Sequence, residues 1–289
     1  MAPALRKEGN YRALCNNGQS DKKRKSFMQK YGQHFLINRG IIDKITDAVV
    51  NNMQGGLVEI GPGKGALTNA LLERGVNDFT LVEIDPKMIS HLRDTLPPYA
   101  RLNIIESDFL RLEPALLPEG DITFLSNLPY INAAEILLKV LETPCFKAAI
   151  FMFQREQAVR LCARPGTRQY GALSVIFQAF ARARSICRVS AGSFSPPPKV
   201  DGEVLLITPA ENKFFAGAKH KENFKELVKT VFAYRRKTVL NALVEVYGKN
   251  KDVLAGALNA AGVKISSRAE ELAPARFADL ARKLEGIVF

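Results

Sequence analysis

Cysteine and histidine are scarce in this chain, and neither is arranged to hold a metal. The four cysteines (Cys15, Cys145, Cys162, Cys187) are scattered without a CxxC pair, and the three histidines stand alone. No zinc-type spacing results, so no structural metal is expected, and reduced thiols in an intracellular compartment are. Long apolar runs are missing too; none approaches a bilayer span, so no transmembrane helix is expected. The chain does not open on the basic, apolar and small-residue series of a secretory signal. Acids are also short, 29 against 41 Lys and Arg, for a net charge of +12.

That excess is segregated. Residues 1–30 carry eight basic side chains against two acids, and residues 155–188 carry seven arginines against one. Residues 31–154 lean the other way, ten against fifteen, and 189–289 carry sixteen against eleven. A neutral-to-acidic body flanked by basic segments is the footprint of a polyanion-binding protein, whereas scattered charge would mark a generically basic one.

Residues 1–25, with DKKRK at 21–25, lack hydrophobic periodicity and read as a mobile basic tail. From Gly40, IIDKITDAVV has helical spacing. Five short apolar runs follow: LVEIG (57–61), FTLVEID (79–85), LNIIESD (102–108), DITFLSN (121–127) and AAIFMFQ (148–154). Helix-like segments separate them, the alternation of βαβ units in a mainly parallel sheet. ALSVIFQAFARARSI (172–186) has helical spacing with Arg182 and Arg184 near its end, and GEVLLITP (202–209) reads as another strand. Beyond Pro209 the segments are helix-like. The expected fold is therefore α/β, a Rossmann-like domain over 26–209, with a small all-helical domain at 212–289 joined near Pro209–Lys213.

GPGKGA (61–66) follows a strand and opens a helix, where backbone can approach a ligand closely. It satisfies the dinucleotide fingerprint, and an acid follows about 20 residues on; no Walker A pattern is present. Glu59, two residues before Gly61 and four before Gly63, argues against a diphosphate, which it would repel. An ammonium and a sulfonium suit that acid. Glu83 ends the second strand, where a carboxylate can take both ribose hydroxyls, and Asp108 ends the third, where it can accept from an adenine amine. Asp85 reads more readily as a helix N-cap. S-adenosyl-L-methionine is the expected cofactor.

The fourth strand runs into SNLPYIN (126–132) at the same crevice. An exocyclic adenine amine is a poor nucleophile because its lone pair is delocalised into the ring. The Asn127 side-chain oxygen and the Leu128 carbonyl can accept both amine hydrogens and hold the nitrogen in line. Pro129 biases Leu128 toward an extended backbone, and Tyr130 offers a face for a splayed-out base. A structural turn with a packed Tyr is the alternative for an isolated N-x-P-Y.

The series YGQHFL (31–36), LVEIGPGKGALT (57–68), VEID (82–85), SD (107–108), NLPY (127–130), QREQAVR (154–160), YGALSV (170–175), FSPPPKVDG (194–202) and FAYRRKTVLNAL (232–243) resembles the small-subunit ribosomal RNA adenine dimethyltransferases. The resemblance runs from Tyr31 to Leu243. It implies dimethylation of two adjacent adenines near the 3′ end of small-subunit rRNA within an immature subunit, with cofactor contacts at Gln33, His34, Leu36, Gly61, Glu83, Asp108 and Asn127. It also puts Phe194 across the target base from Tyr130; on sequence alone a core-packed Phe is the alternative. His34 stands where Asn is common in bacterial members, Ile131-Asn132 invert the usual polarity after NLPY, and Gly202 stands where Ser is frequent.

Arg155, Arg160, Arg164 and Arg168 form one candidate RNA phosphate track, and Arg235, Arg236 and Lys237 on a C-terminal helix form a second. Singly, each reads as well as a solvated face. No general base is required, since the newly methylated amine is acidic enough to lose its proton to water. The rivals are a large-subunit rRNA adenine methyltransferase of the macrolide-resistance type and a ribosome-assembly factor with little catalysis. A monomer in a bacterial-type cytoplasm is expected, with an organelle left open.

Overall fold

The computed structural model describes residues 34–211 and 214–289. The expected basic tail, Gln33 and part of the expected linker lie outside the described residues. A two-residue strand, β1 (Phe35–Leu36), leads into helix α1 (Arg39–Asn52), whose N-cap Asn38 accepts the Ile41 N–H. Then β2 (Gly56–Ile60), α2 (Ala66–Glu73), β3 (Asp78–Glu83), α3 (Pro86–Thr95) and β4 (Arg101–Glu106) alternate. The chain returns through β5 (Ile122–Asn127), α4 (Ala133–Glu142), β6 (Phe146–Gln154), α5 (Arg155–Leu161) and α6 (Ala172–Phe180). Strands β7 (Ala181–Val189), β8 (Phe194–Ser195) and β9 (Gly202–Pro209) follow. The chain finishes with helices α7 (Ala218–Ala233), α8 (Val239–Tyr247), α9 (Lys251–Ala260) and α10 (Pro274–Lys283).

Seven strands make one sheet in the order β4-β3-β2-β5-β6-β9-β7, and β1 pairs with β8 beside it. Strands β2 to β6 are parallel; β9 and β7 join antiparallel. This is the mainly parallel α/β class that the alternation implies. Successive strand residues bury into opposite clusters. Leu125, Ile150, Met152, Val204 and Leu206 pack with α1 and α2. Phe124, Phe151, Phe153, Leu205 and Ile207 pack with α4, α6 and, in the same cluster, Phe224, Leu254 and Phe277 of the C-terminal helices. Each such side chain contributes about 1.5–3 kcal/mol on full burial. Order reverses between β2, which leads to β3 and β4, and β5 on its other side, so the crevice lies beyond the C-terminal ends of these strands.

Two expectations fail locally. The helical spacing over 172–186 stops at Phe180, because Ala181 is extended (φ −146°, ψ 167°) and 181–189 pairs with β9. Arg182 and Arg184 are exposed on this terminal strand instead of ending a helix. Likewise Arg235, Arg236 and Lys237 occupy the turn between α7 and α8, not a helix. The turn is set by Tyr234 (φ −110°, ψ 43°) and by Thr238, which caps α8 by accepting the Asn241 N–H and bridges to Arg268.

Candidate active site

The glycine loop is held by the end of β3. Gly61 donates its N–H to the Val82 carbonyl (2.9 Å), and Gly63 donates to Glu83 Oε2 (3.0 Å). Gly61 and Gly63 have φ of 66° and 56°, which L side chains rarely adopt. A Cβ on Gly63 would meet the Phe35 ring at 3.1 Å, whereas one on Gly61 would meet nothing within 4 Å. Gly61 thus leaves open space at the mouth of the loop.

Glu83 is buried and accepts three backbone N–H groups: Gly63 on Oε2, and Ile84 (2.8 Å) and Asp85 (3.0 Å) on Oε1. Asp85 caps α3 by accepting the Lys87 N–H, and Pro86 opens the helix. Asp108 is half-buried; its Oδ1 accepts the Leu110 N–H (2.9 Å), and its Oδ2 lies 3.9 Å from Arg111 Nε.

Glu59 is 2% exposed on β2 and takes one side-chain hydrogen bond, from Thr68 Oγ1 (2.7 Å). Burial pushes its carboxyl up to about 7 against that bond, and the Glu83 charge adds to the rise. Thr68 went unnoticed in the sequence; a hydroxyl among the apolar residues facing inward from α2 was the available signal.

Asn127 is the last residue of β5. Its Nδ2 donates to the His34 carbonyl (3.0 Å), so Oδ1 faces away as an acceptor. His34 is anchored by Nδ1 to the Pro196 carbonyl (2.8 Å), with β1 paired on β8 directly behind it (Leu36 opposite Phe194). Next to Asn127, the Ser126 hydroxyl donates to the Ile60 carbonyl (2.6 Å). Among the described residues nothing donates to the Leu128 carbonyl. The chain then turns, Asn132 N–H to Pro129 carbonyl (3.2 Å), into α4, leaving Ile131 75% exposed. Tyr130 is half-buried, 5.6 Å from the His34 ring, and its hydroxyl is buried without a partner. Burial, with Asp201 nearby, raises its phenol. Leu36 and Phe194 are buried in the same cluster, Phe194 at 3% exposure.

Arg155 opens α5, and its N–H donates to the Asp201 carbonyl. Arg160 pairs with Glu156 (2.6 Å). Arg164 and Arg168 are exposed and carry no ion pair among the described residues. Arg235 pairs with Glu270 (2.8 Å) and donates to the Arg168 carbonyl (3.0 Å), which joins the two basic segments. Arg236 is exposed, and Lys237 pairs with Glu245 (2.9 Å).

The donor set fits S-adenosylmethionine. A buried carboxylate suits a cation, acceptors at Asp108 and Asn127 suit amine hydrogens, and the open face at Gly61 admits a ligand against the backbone. Among the described residues no group of three or more His, Cys, Asp or Glu could hold a metal ion, and no helix is long and apolar enough to cross a membrane.

The profile of the ribosomal RNA adenine dimethylases matches residues 24–285. Ribosomal RNA small subunit methyltransferase A of Shouchella clausii is 40% identical over 262 residues, 88% of each chain. Its namesake in Xanthomonas campestris pv. campestris is 38% identical over 252 residues, 86% of this chain and 93% of its own. Among solved structures, a dimethyladenosine transferase from Plasmodium falciparum superposes with a TM-score of 0.72 at 28% identity, covering 88% of this chain and 98% of that one. The 23S rRNA methyltransferase ErmE gives 0.64 at 26%, covering 87% and 99%. Fold and crevice define a Rossmann-like methyltransferase that uses S-adenosylmethionine. The chain belongs to the ribosomal RNA adenine dimethylase family.

Proposed function

We propose that this enzyme methylates the exocyclic N6 amines of two adjacent adenosines near the 3′ end of small-subunit rRNA, giving N6,N6-dimethyladenosine. It acts as a monomer in the cytoplasm, on an immature small subunit. The observation that carries the chemistry is the Asn127 amide, oriented by the His34 carbonyl so that its oxygen is the free end.

Asn127 Oδ1 and the Leu128 carbonyl accept the two amine hydrogens. Both bonds strengthen as the amine nitrogen gains positive charge in the transition state, so they favour it over the ground state. S-adenosylmethionine, when bound, supplies an electrophilic methyl on its sulfonium. Gly61, Glu83 and Asp108, with Leu36 and the His34 backbone, hold that donor, and Glu59 offsets its cationic end. Tyr130 stacks on one face of the base. Phe194 closes the other, which needs its buried ring to be uncovered as the base enters. Water takes the proton from the methylated amine. Arg155, Arg160, Arg164, Arg168, Arg235, Arg236 and Lys237 track the phosphates.

Transfer of label from S-adenosylmethionine to unmethylated small subunits, with large subunits in parallel, tests this. Label as dimethyladenosine in small-subunit RNA is expected. Label confined to large subunits would replace the substrate, and binding without label would leave an assembly factor.

A further inference from the structure

A cavity of about 400 Å³ lies between α5 and the β9–β7 edge. Ala158, Cys162 and Leu205 line it with apolar surface, Arg164 lines it as well, and the one carboxylate in its lining is Glu203. Glu203 is half-exposed, and Oε1 accepts the Ser185 hydroxyl (2.7 Å), which fixes the carboxylate and leaves Oε2 without a hydrogen bond among the described residues.

The sheet register places this cavity. Asn127 on β5 lies level with Met152 on β6, and Met152 with Val204 on β9. Glu203 is therefore one residue nearer the crevice end than Asn127, two strands away, about 10 Å across the sheet at ~4.8 Å per strand. It also shares the α4 and α5 side of the sheet, the side to which the loop carrying Tyr130 leads.

We infer that this cavity holds a second unpaired nucleobase of the RNA strand that delivers the target adenine, one bearing an amino group, read by Glu203. The inference rests on the RNA-methylation reading. The chemistry is specific to a base. The Glu203 carboxylate repels phosphate from its own end of the cavity, leaving phosphate to Arg164, and accepts N–H donors of the kind an amino-bearing base edge presents. The apolar lining covers the base faces, and the arginines at 160, 164 and 168 hold the phosphates on either side. Read this way, the cavity sets sequence context as well as affinity.

Cys162 is exposed and lines the cavity, which supplies a direct readout. Alkylation of Cys162 is followed by peptide mass spectrometry with and without unmethylated small subunits, using Cys145 and Cys187 as internal references. In parallel, Glu203→Ala and Glu203→Gln are assayed for methyl transfer. Bound subunits should slow Cys162 alkylation at least fivefold. Both variants should raise KM for subunits about tenfold, with kcat and KM for S-adenosylmethionine unchanged. Subunits that bind and are methylated while Cys162 alkylates at its free rate overturn the cavity assignment and leave the function standing. So do variants in which KM for S-adenosylmethionine rises equally, since that marks a structural role. Absence of methylation by the unaltered enzyme overturns the function itself.

Discussion

Two side chains at the crevice carry opposite demands, one for a proton and one for a fixed orientation. Glu59 binds its proton more tightly folded than unfolded, since its carboxyl sits at about 7 instead of the usual 4.5. Its cost to stability is absent below about pH 4.5, grows as pH rises to about 7, and is constant beyond, where it reaches roughly 3 kcal/mol. Glu59→Gln keeps an acceptor for Thr68 and removes that cost. Chemical denaturation should show the variant more stable than the parent at pH 8 and equal to it near pH 4.5, while its affinity for S-adenosylmethionine falls. Asn127 makes the converse point. Asn127→Asp retains an oxygen for the amine but has no N–H for the His34 carbonyl, so it faces that carbonyl with a charge. Asn127→Asp and Asn127→Ala should each lower kcat by at least about 100-fold with subunit binding kept; comparable loss of binding in a filter assay would remove Asn127 from the catalytic machinery.

At the scale of the element, the strands that build the crevice were legible and the edge of the sheet was not. LVEIG, FTLVEID and DITFLSN are short, apolar-rich runs, the last two closing on a carboxylate or an amide, the pattern a buried parallel strand produces. Asp85 before Pro86 is a local capping signal and needed no tertiary context. β7 had no such signal: Arg182 and Arg184 suit a helix face as well as an exposed strand face, and pairing with β9, residues away, decided between them. The clasp of Asn127 by His34 joins positions 93 apart, and no spacing rule reports it. The same arginines serve β7 as an outermost strand, since charge there discourages pairing with another chain. Replacing both with Thr removes the charge and favours extended backbone. Sedimentation should then show association that grows with concentration more steeply than in the parent chain.

For the whole molecule, two of the basic segments visible in the sequence meet on one surface. The α5–α6 loop and the α7–α8 turn meet where Arg235 reaches the Arg168 carbonyl, and Tyr170 of that loop donates to the Leu272 carbonyl (2.8 Å). Affinity for small subunits should fall linearly in log–log against salt. Replacing both Arg164 and Arg168 with Ala should flatten the slope by about 1.4–1.8 units, with kcat kept at saturation. A slope unchanged by both substitutions would take these residues off the RNA. The pairing of β1 with β8 has a further consequence, for the protein's own synthesis. The His34 carbonyl that aims Asn127 is anchored through Pro196, so a nascent chain shorter than that residue has strands β2 to β6 but neither this anchor nor β9. The aim of the Asn127 amide is therefore completed only after the β8 segment has left the exit tunnel.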